Sequence, residues 1–460
     1  MSNPAASAAV QQVLTAATKA LQGGNLMATE FALTPFFNGR LPVNPDLMNI
    51  AGTLRMNQGR LSEAAALFHR ATKAAPREPV FAFNLGLALS RLGQMEDAEA
   101  ALRTTVKYKP DFVQAHFELG ALLHRTGKLD DAEKHIRQVL KLTPGLTHAE
   151  LALAAILADA GRPDEAETAS CRGLASATDR RLRAQLYLQL AQALRRQRKD
   201  SEALVALDNA EAADATLPDL ARHRAEALQN LNRFDEAVAL LEKEIARAPA
   251  DPGIHLDYNA LLYQLGRCDQ FLKSYDGVAQ TRELLLGKAF LLAREKRHAE
   301  ARDIYERLKA RDPGDRLAAI GAAQIMTAMG NHAEAVALFE AVLARHGDDA
   351  KLLSIAAEPA LAGGDPAKAA YLCERGLAKT PLNGACLAML SIASRMMEDG
   401  RDEALNRYDS LVRSFDLEPP EGFSDMASFN TALNASLDRL HPRSRELIDQ
   451  SLRGGTQTPG

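Results

Sequence analysis

The chain of 460 residues is 47% hydrophobic and 25% charged, has no tryptophan and only 5% aromatic residues. That apolar share excludes wholesale disorder, and its alanine-rich, aromatic-poor make-up favours helices over strands. With 55 basic against 59 acidic residues the net charge is −4 and the pI near 6.3, without the basic surplus that phosphate neutralisation requires.

The opening MSNPAASAAVQQVLTAATKAL has neither a basic leader nor an unbroken apolar core, so a signal peptide is not expected. No run approaches about 18 apolar residues, so no membrane span is expected, and the default location is cytoplasmic. Cys171, Cys268, Cys373 and Cys386 lie far apart without a CxxC pair, which reads as free thiols rather than a zinc site or disulfide framework. No cofactor and no metal are expected.

From Pro45 onward a 34-residue period governs the chain. Gly52, Gly86 and Gly120 keep this step, as do Gly59, Gly93, Gly127 and Gly161. Ala64, Ala98, Ala132 and Ala166 share it with Pro76, Pro110 and Pro144. Such a period marks a stack of repeated supersecondary units. Between Phe81 and Pro110, Gly86 falls inside a first helix where a small residue admits its partner. Gly93 ends that helix at a turn needing positive φ, Ala98 is small where the second helix crosses, and Pro110 stops the second helix. Tracking the second-helix alanine through Ala203, Ala237, Phe271, Ala301, Ala335, Ala369 and Ala404 gives eleven units. An imperfect unit around Ala28 precedes them. Ala166 to Ala203 is 37 residues, and Phe271 is large where a small residue belongs, so the Cys171–Tyr275 region is expected to be looser or kinked.

FNLGLALSRLGQMEDAEAALRTTVKYKP and FELGALLHRTGKLDDAEKHIRQVLKLTP resemble the tetratricopeptide repeat (TPR) family, with Ala82 and His116 in place of its early tryptophan. The resemblance implies an all-α fold: a right-handed α-solenoid, or superhelix, of about eleven to twelve helix–turn–helix units. Residues 1–44 would form N-terminal helices and an imperfect repeat, 45–415 the tandem array, 416–443 a linker and capping helix, and 444–460 a flexible tail. It further implies an extended concave groove lined by first helices, which takes a protein or peptide ligand. By the family's positional pattern the groove residues are Phe83, Asn84, Leu87 and Arg91 in the second repeat. Phe117, His124 and Arg125 follow in the third, and Gln192 and Arg196 in the fifth. Arginine recurs at one position (Arg91, Arg125, Arg196, Arg294), so an extended acidic segment is the expected ligand, although solvated helix-end charges give the same pattern. The lysines of the family's peptide-carboxylate clamps are missing. The asparagine ladder of its glycosyltransferases is missing too, because Ile50, Asn84, Glu118, Ala152 and Gln189 occupy that position.

The densest basic cluster is Arg180, Arg181, Arg183, Arg195, Arg196, Arg198 and Lys199, with Tyr187 as its one aromatic. A solvated face accounts for it better than nucleic-acid stacking does, and no nucleic-acid partner is expected. His255-Leu256-Asp257 spells the HxD of an iron site, yet it falls within a first helix, where residues two apart do not face one another. No GxSxG, P-loop or dinucleotide-binding glycine pattern occurs, so no catalytic residue is assigned.

After Val412 the period stops. ASFNTALNASLDRL reads as a helix with Phe429, Leu433, Leu437 and Leu440 on one face, expected to cap the last repeat. The phrases YNALLYQLGRCDQFLKSYD and DQSLRGGTQTPG resemble bacterial proteins that join TPR arrays to a 2-oxoglutarate/Fe(II) oxygenase domain. The chain reaches Gly460 before such a domain could begin. Function is therefore expected to be a protein- or peptide-binding scaffold, the recognition part of an oxygenase-type protein. The alternatives are an oxygenase whose catalytic domain is missing from this chain, and a structural scaffold in envelope or secretion assembly.

Overall fold

The computed structural model describes residues 4–406 and 418–440 and divides into two compact units, Met1–Arg233 and Phe234–Gly460. Among the described residues there are 24 α-helices, one 3-10 turn and no strand. The fold is an all-α repeat stack, as the period requires.

In the first unit α1 (Pro4–Gln22) and α2 (Leu26–Phe37) form the imperfect opening pair. Val10, Ala17 and Leu33 bury it against Leu47 and Ala51 of α3 (Pro45–Asn57). Then come α4 (Leu61–Ala74), α5 (Pro79–Arg91), α6 (Met95–Tyr108), α7 (Val113–Arg125), α8 (Leu129–Leu142), α9 (Thr147–Asp159) and α10 (Pro163–Ser176). The longer α11 (Arg180–Arg196), α12 (Asp200–Ala213) and α13 (Leu220–Asn230) finish the unit. From α3 to α15 odd-numbered helices are first helices and even-numbered ones second helices; from α16 onward the numbering of the two reverses.

Close approach of the two helices explains the glycine inside each first helix. A Cβ on Gly86 would lie 2.7 Å from Leu102 Cγ and 3.3 Å from the Ala98 carbonyl; on Gly120 it would lie 2.7 Å from Ile136 Cδ1. Turn residues with positive φ recur at Gly59, Gly93, Gly127, Gly161, Arg198, Asn232, Gly266, Lys296, Gly330, Gly364 and Glu398. Their step is 34 throughout, except for 37 between Gly161 and Arg198 and 30 between Gly266 and Lys296. Arg198 and Lys296 thus hold turn positions that composition alone does not flag.

The longer step is absorbed by the 17 residues of α11, which packs fully: Leu182, Leu186, Ala191 and Leu194 are buried. The expected looseness from Cys171 onward is therefore confined to the shorter step, in the second unit. This unit begins with α14 (Phe234–Arg247) and α15 (Pro252–Gln264). No second helix follows α15. The expected helix around Phe271 is replaced by turns and a 3-10 segment, Lys273–Tyr275. Phe271 is no helix-crossing residue; its ring packs on Tyr263 at 5.9 Å.

One buried amide holds this irregular segment in place. Asn259 Oδ1 accepts from the Leu272 N–H at 2.6 Å, while its Nδ2 donates to the His255 carbonyl at 2.8 Å and Ser274 Oγ at 2.7 Å. Asn259→Ala should strip those bonds from buried groups, at about 1–3 kcal/mol. Hydrogen exchange should then show residues 267–281 opening before the helices on either side; uniform protection would contradict this reading.

Regular pairs resume with α16 (Arg282–Arg294), α17 (His298–Arg311), α18 (Arg316–Ala328), α19 (His332–His346), α20 (Ala350–Ala362) and α21 (Pro366–Lys379). The series closes with α22 (Gly384–Met397) and the short α23 (Arg401–Asn406). Beyond it lies α24 (Met426–Leu440), the expected capping helix. Among its described side chains none is buried, and the Phe429 ring packs on that of Phe423, with centroids 5.2 Å apart. Val412, the side chains of Leu437 and Leu440, and the tail 444–460 lie outside the described residues.

Candidate functional site

The first helices of the first unit stand side by side, and their shared face is bridged by side chains one repeat and one residue apart. Asn84 Nδ2 donates to Asn49 Oδ1 at 2.7 Å, joining α5 to α3. Arg125 Nη2 donates to Ser90 Oγ at 2.6 Å, joining α7 to α5. His124 Nε2 meets Asp159 Oδ2 at 2.8 Å, joining α7 to α9. Each of these pairs is separated by 35 residues. Asp159 also faces Arg196 Nη2 of α11, at 3.6 Å. On α11, Gln192 Nε2 meets His223 Nε2 of α13 at 3.0 Å, and Arg195 pairs with Glu226.

The expected groove residues therefore have different circumstances. Asn84, His124, Arg125, Gln192 and Arg196 lie on this face with partners already engaged. Arg91 is exposed and makes no hydrogen bond or ion pair among the described residues. Leu87 and Phe117 are half-buried and form an apolar floor. Phe83 is buried in the core against Phe112, with ring centroids 4.9 Å apart, so its ring offers a ligand little surface. Arg294 belongs to the second unit.

Beside Arg91 and Arg125 sits Glu118, a groove position of the third repeat one 34-residue step from Asn84. Burial pushes its carboxyl up, while the Arg125 and Arg91 guanidiniums pull it back. Two cations flank one half-buried acid, leaving a net positive spot over an apolar floor. Ser90 falls on a groove position of the second repeat by the same positional pattern, whereas Asn49, Asp159, His223 and Glu226 were not singled out from sequence. The 35-residue offset linking three of these pairs is a signal that could have found Asn49 and Asp159.

The basic cluster is not one patch. Arg180, Arg181 and Arg183 open α11, whereas Arg195 and Arg196 close it, about 20 Å away at 1.5 Å per residue. Several of these cations are occupied: Arg180 donates to the Ala212 carbonyl and Lys199 pairs with Glu167.

Second helices carry a ladder of their own that repeats with the 34-residue step. Arg103 bridges Glu99 and Asp131, and Arg137 bridges Glu133 and Glu165. Lys128 pairs with Glu99, and Arg162 with Glu133. The basic partners are about half exposed while Glu99 and Glu133 are 14% exposed, and each such near-surface pair is worth about 1 kcal/mol or less.

His255 of the HxD triplet is fully buried; its Nε2–H donates to the Pro249 carbonyl at 3.0 Å and its ring stacks on Tyr275 at 5.1 Å. His116 makes the same bond to the Pro110 carbonyl, at 3.0 Å. Both imidazoles tie the start of a first helix to the turn before it, a structural duty. Among the described residues no group of three or more His, Cys, Asp or Glu could hold a metal ion, and no helix is long and apolar enough to cross a membrane. The cysteines are free thiols, Cys171 and Cys268 exposed, Cys373 and Cys386 buried.

A stack of helix pairs with one side-chain-bridged helix face defines the class: an α-helical repeat protein of the solenoid type. Models of the tetratricopeptide repeat match residues 51–103, 83–147, 127–181 and 267–316, with further matches at 292–358 and 218–243. The chain carries tandem tetratricopeptide repeats. Among solved structures, a tetratricopeptide repeat protein from Parabacteroides merdae is 18% identical, with 55% of this chain and 99% of that one covered and a TM-score of 0.43. A crystal structure of MamA protein is 17% identical, covering 37% of this chain and 92% of the other at a TM-score of 0.35. A thermophilic TPR protein of Thermus thermophilus is 22% identical, covering 40% of this chain and all of its own at a TM-score of 0.32. No curated protein matches the chain in sequence.

Proposed function

We propose that the chain is a protein-interaction scaffold whose first-helix face on α5 and α7 receives an extended, acidic segment of a partner. The observation that carries this is Arg91: an exposed guanidinium that makes no hydrogen bond or ion pair among the described residues, in the field of Glu118 and beside the half-buried Leu87 and Phe117. A carboxylate entering here would form a charge-assisted bond with Arg91 and draw Arg125 from Ser90, while an apolar neighbour covers Leu87. Binding to an array of acidic decapeptides should be weakened by about 1–3 kcal/mol in the double variant Arg91→Ala/Arg125→Ala, and by added salt. Unchanged affinity in that variant would return both arginines to the role of solvated helix-end charges.

The narrower reading, recognition part of an oxygenase-type protein, draws on the resemblance of Tyr258–Asp276; the second phrase behind it lies outside the described residues. His255 is engaged with the Pro249 carbonyl and the Tyr275 ring, so it holds the helix start in place. Purified chain given iron and 2-oxoglutarate should form no succinate. Succinate lost on His255→Ala would overturn the scaffold reading.

A further inference from the structure

Several turns of the chain carry acidic groups that are already spent. Asp315 pairs with Arg282, Asp348 with Arg375 and Asp349 with Arg316. The loop Glu418–Asp425 differs. It holds three acidic residues and no basic one, around the only diproline of the sequence, Pro419-Pro420. Glu418 and Glu421 are exposed and make no hydrogen bond or ion pair among the described residues.

The backbone of this loop is held in one shape. Proline fixes its own φ and keeps the residue before it extended, which sets Glu418 and Pro419. The Phe423 N–H then donates to the Pro420 carbonyl at 3.1 Å, closing a turn in which Gly422 takes a φ of 96°. Glu418 and Glu421 stand three extended residues apart, a separation of about 9 Å at the rise of a polyproline helix. Asp425 is spent locally, since its carboxylate accepts from the Ser428 N–H at 2.8 Å. Two carboxylates at a set spacing are left over.

We infer that this loop, supplied by a second copy of the chain, is an occupant of the α5–α7 face, so that the protein self-associates through it. The inference rests on the acidic-segment reading of that face. Arg91 and Arg125 hold the same repeat position on α5 and α7, which touch, and packed helices stand about 8–10 Å apart. The spacing of the two guanidinium-bearing positions therefore matches that of Glu418 and Glu421. Charge matches too, and both sides carry groups left without a partner among the described residues of the single chain: Arg91 on one, both carboxylates on the other. Phe423, half-buried two residues past Glu421, supplies the apolar neighbour for Leu87. Two prolines lower the cost of ordering the loop when it docks. A contact this small, resting on two charge pairs, is weak and weakens further with salt.

Sedimentation velocity of the full chain, from about 1 to 100 µM at low salt, tests this by charge exchange. The average mass should rise with concentration. Arg91→Glu/Arg125→Glu and Glu418→Lys/Glu421→Lys should each stay monomeric alone, with helicity unchanged by circular dichroism. Mixed in equal amounts they should assemble again, because every groove then meets a loop of opposite charge; a variant that had merely misfolded would not recover. A labelled peptide of residues 418–425 should bind the unmodified chain at least tenfold more tightly than Arg91→Ala/Arg125→Ala. A chain that stays monomeric throughout, or assembly that survives Glu418→Lys/Glu421→Lys, would overturn the inference. If acidic decapeptides still bind through Arg91 and Arg125 in that event, the reading of the face stands and only its occupant changes.

Discussion

Gly120→Val should destabilise the first unit by about 3 kcal/mol, the upper end of ordinary overpacking. The Cβ alone would lie 2.7 Å from Ile136 Cδ1 and 3.3 Å from the Ala132 carbonyl, and the two added methyl groups of valine have no space that α8 does not fill. Ile136 is fully buried, so it has little room to move aside. The damage should be local, because a repeat contacts only its neighbours. Hydrogen exchange should show α7 and α8 opening first while α18–α21 stay protected. Ile136→Ala alone should be destabilising by about 2–5 kcal/mol, yet in combination it should restore part of the loss from Gly120→Val. Additive effects of the two changes would mean that the helices do not meet where the structure places them.

Acid should loosen the same repeat through a pair of imidazoles. His116 on α7 and His135 on α8 bring their Nδ1 atoms to 2.9 Å. The His116 Nε2–H is spent on Pro110, so its Nδ1 accepts and His135 donates. Burial, then His116 and Arg103, hold His135 at about 4, below the ordinary 6.5; Asp131 opposes this weakly and Lys134 adds to it. A histidine whose folded value is depressed takes up its proton more readily in the unfolded chain. The contribution of His135 to stability is therefore complete above pH 6.5, falls as pH drops from 6.5 toward 4, and changes no further below that. The full shift corresponds to about 3 kcal/mol at 1.36 per pH unit, and solvent around this half-exposed ring reduces it to about half. Urea midpoints of the unmodified chain should decline across this window more steeply than those of His135→Gln. Parallel pH profiles would remove His135 from the account.

Periodicity is a property of sequence, so the repeat architecture was legible before any coordinates. Each 34-residue step carries the same demands: small at Gly86 where helices touch, positive φ at Gly93, and a helix stop at Pro110. Because those demands are local, the residues that meet them can be read locally. The irregular repeat was also visible as Phe271 in an alanine position. Its nature was not, since a missing second helix depends on Asn259 reaching Leu272 across 13 residues, and such a contact has no local signature. The site divides in the same way. Which side chains share the first-helix face is an expectation from position in the repeat, and Arg91, Arg125 and Gln192 are assigned to it by that rule. Whether each is free or engaged was decided only by tertiary structure, because Ser90, Asp159 and His223 come from neighbouring helices. Packing also withdrew Phe83 into the core and separated the arginines of α11 by the length of the helix. Sequence determined the frame because backbone geometry repeats, and tertiary structure decided availability because a side chain's partners lie one repeat away.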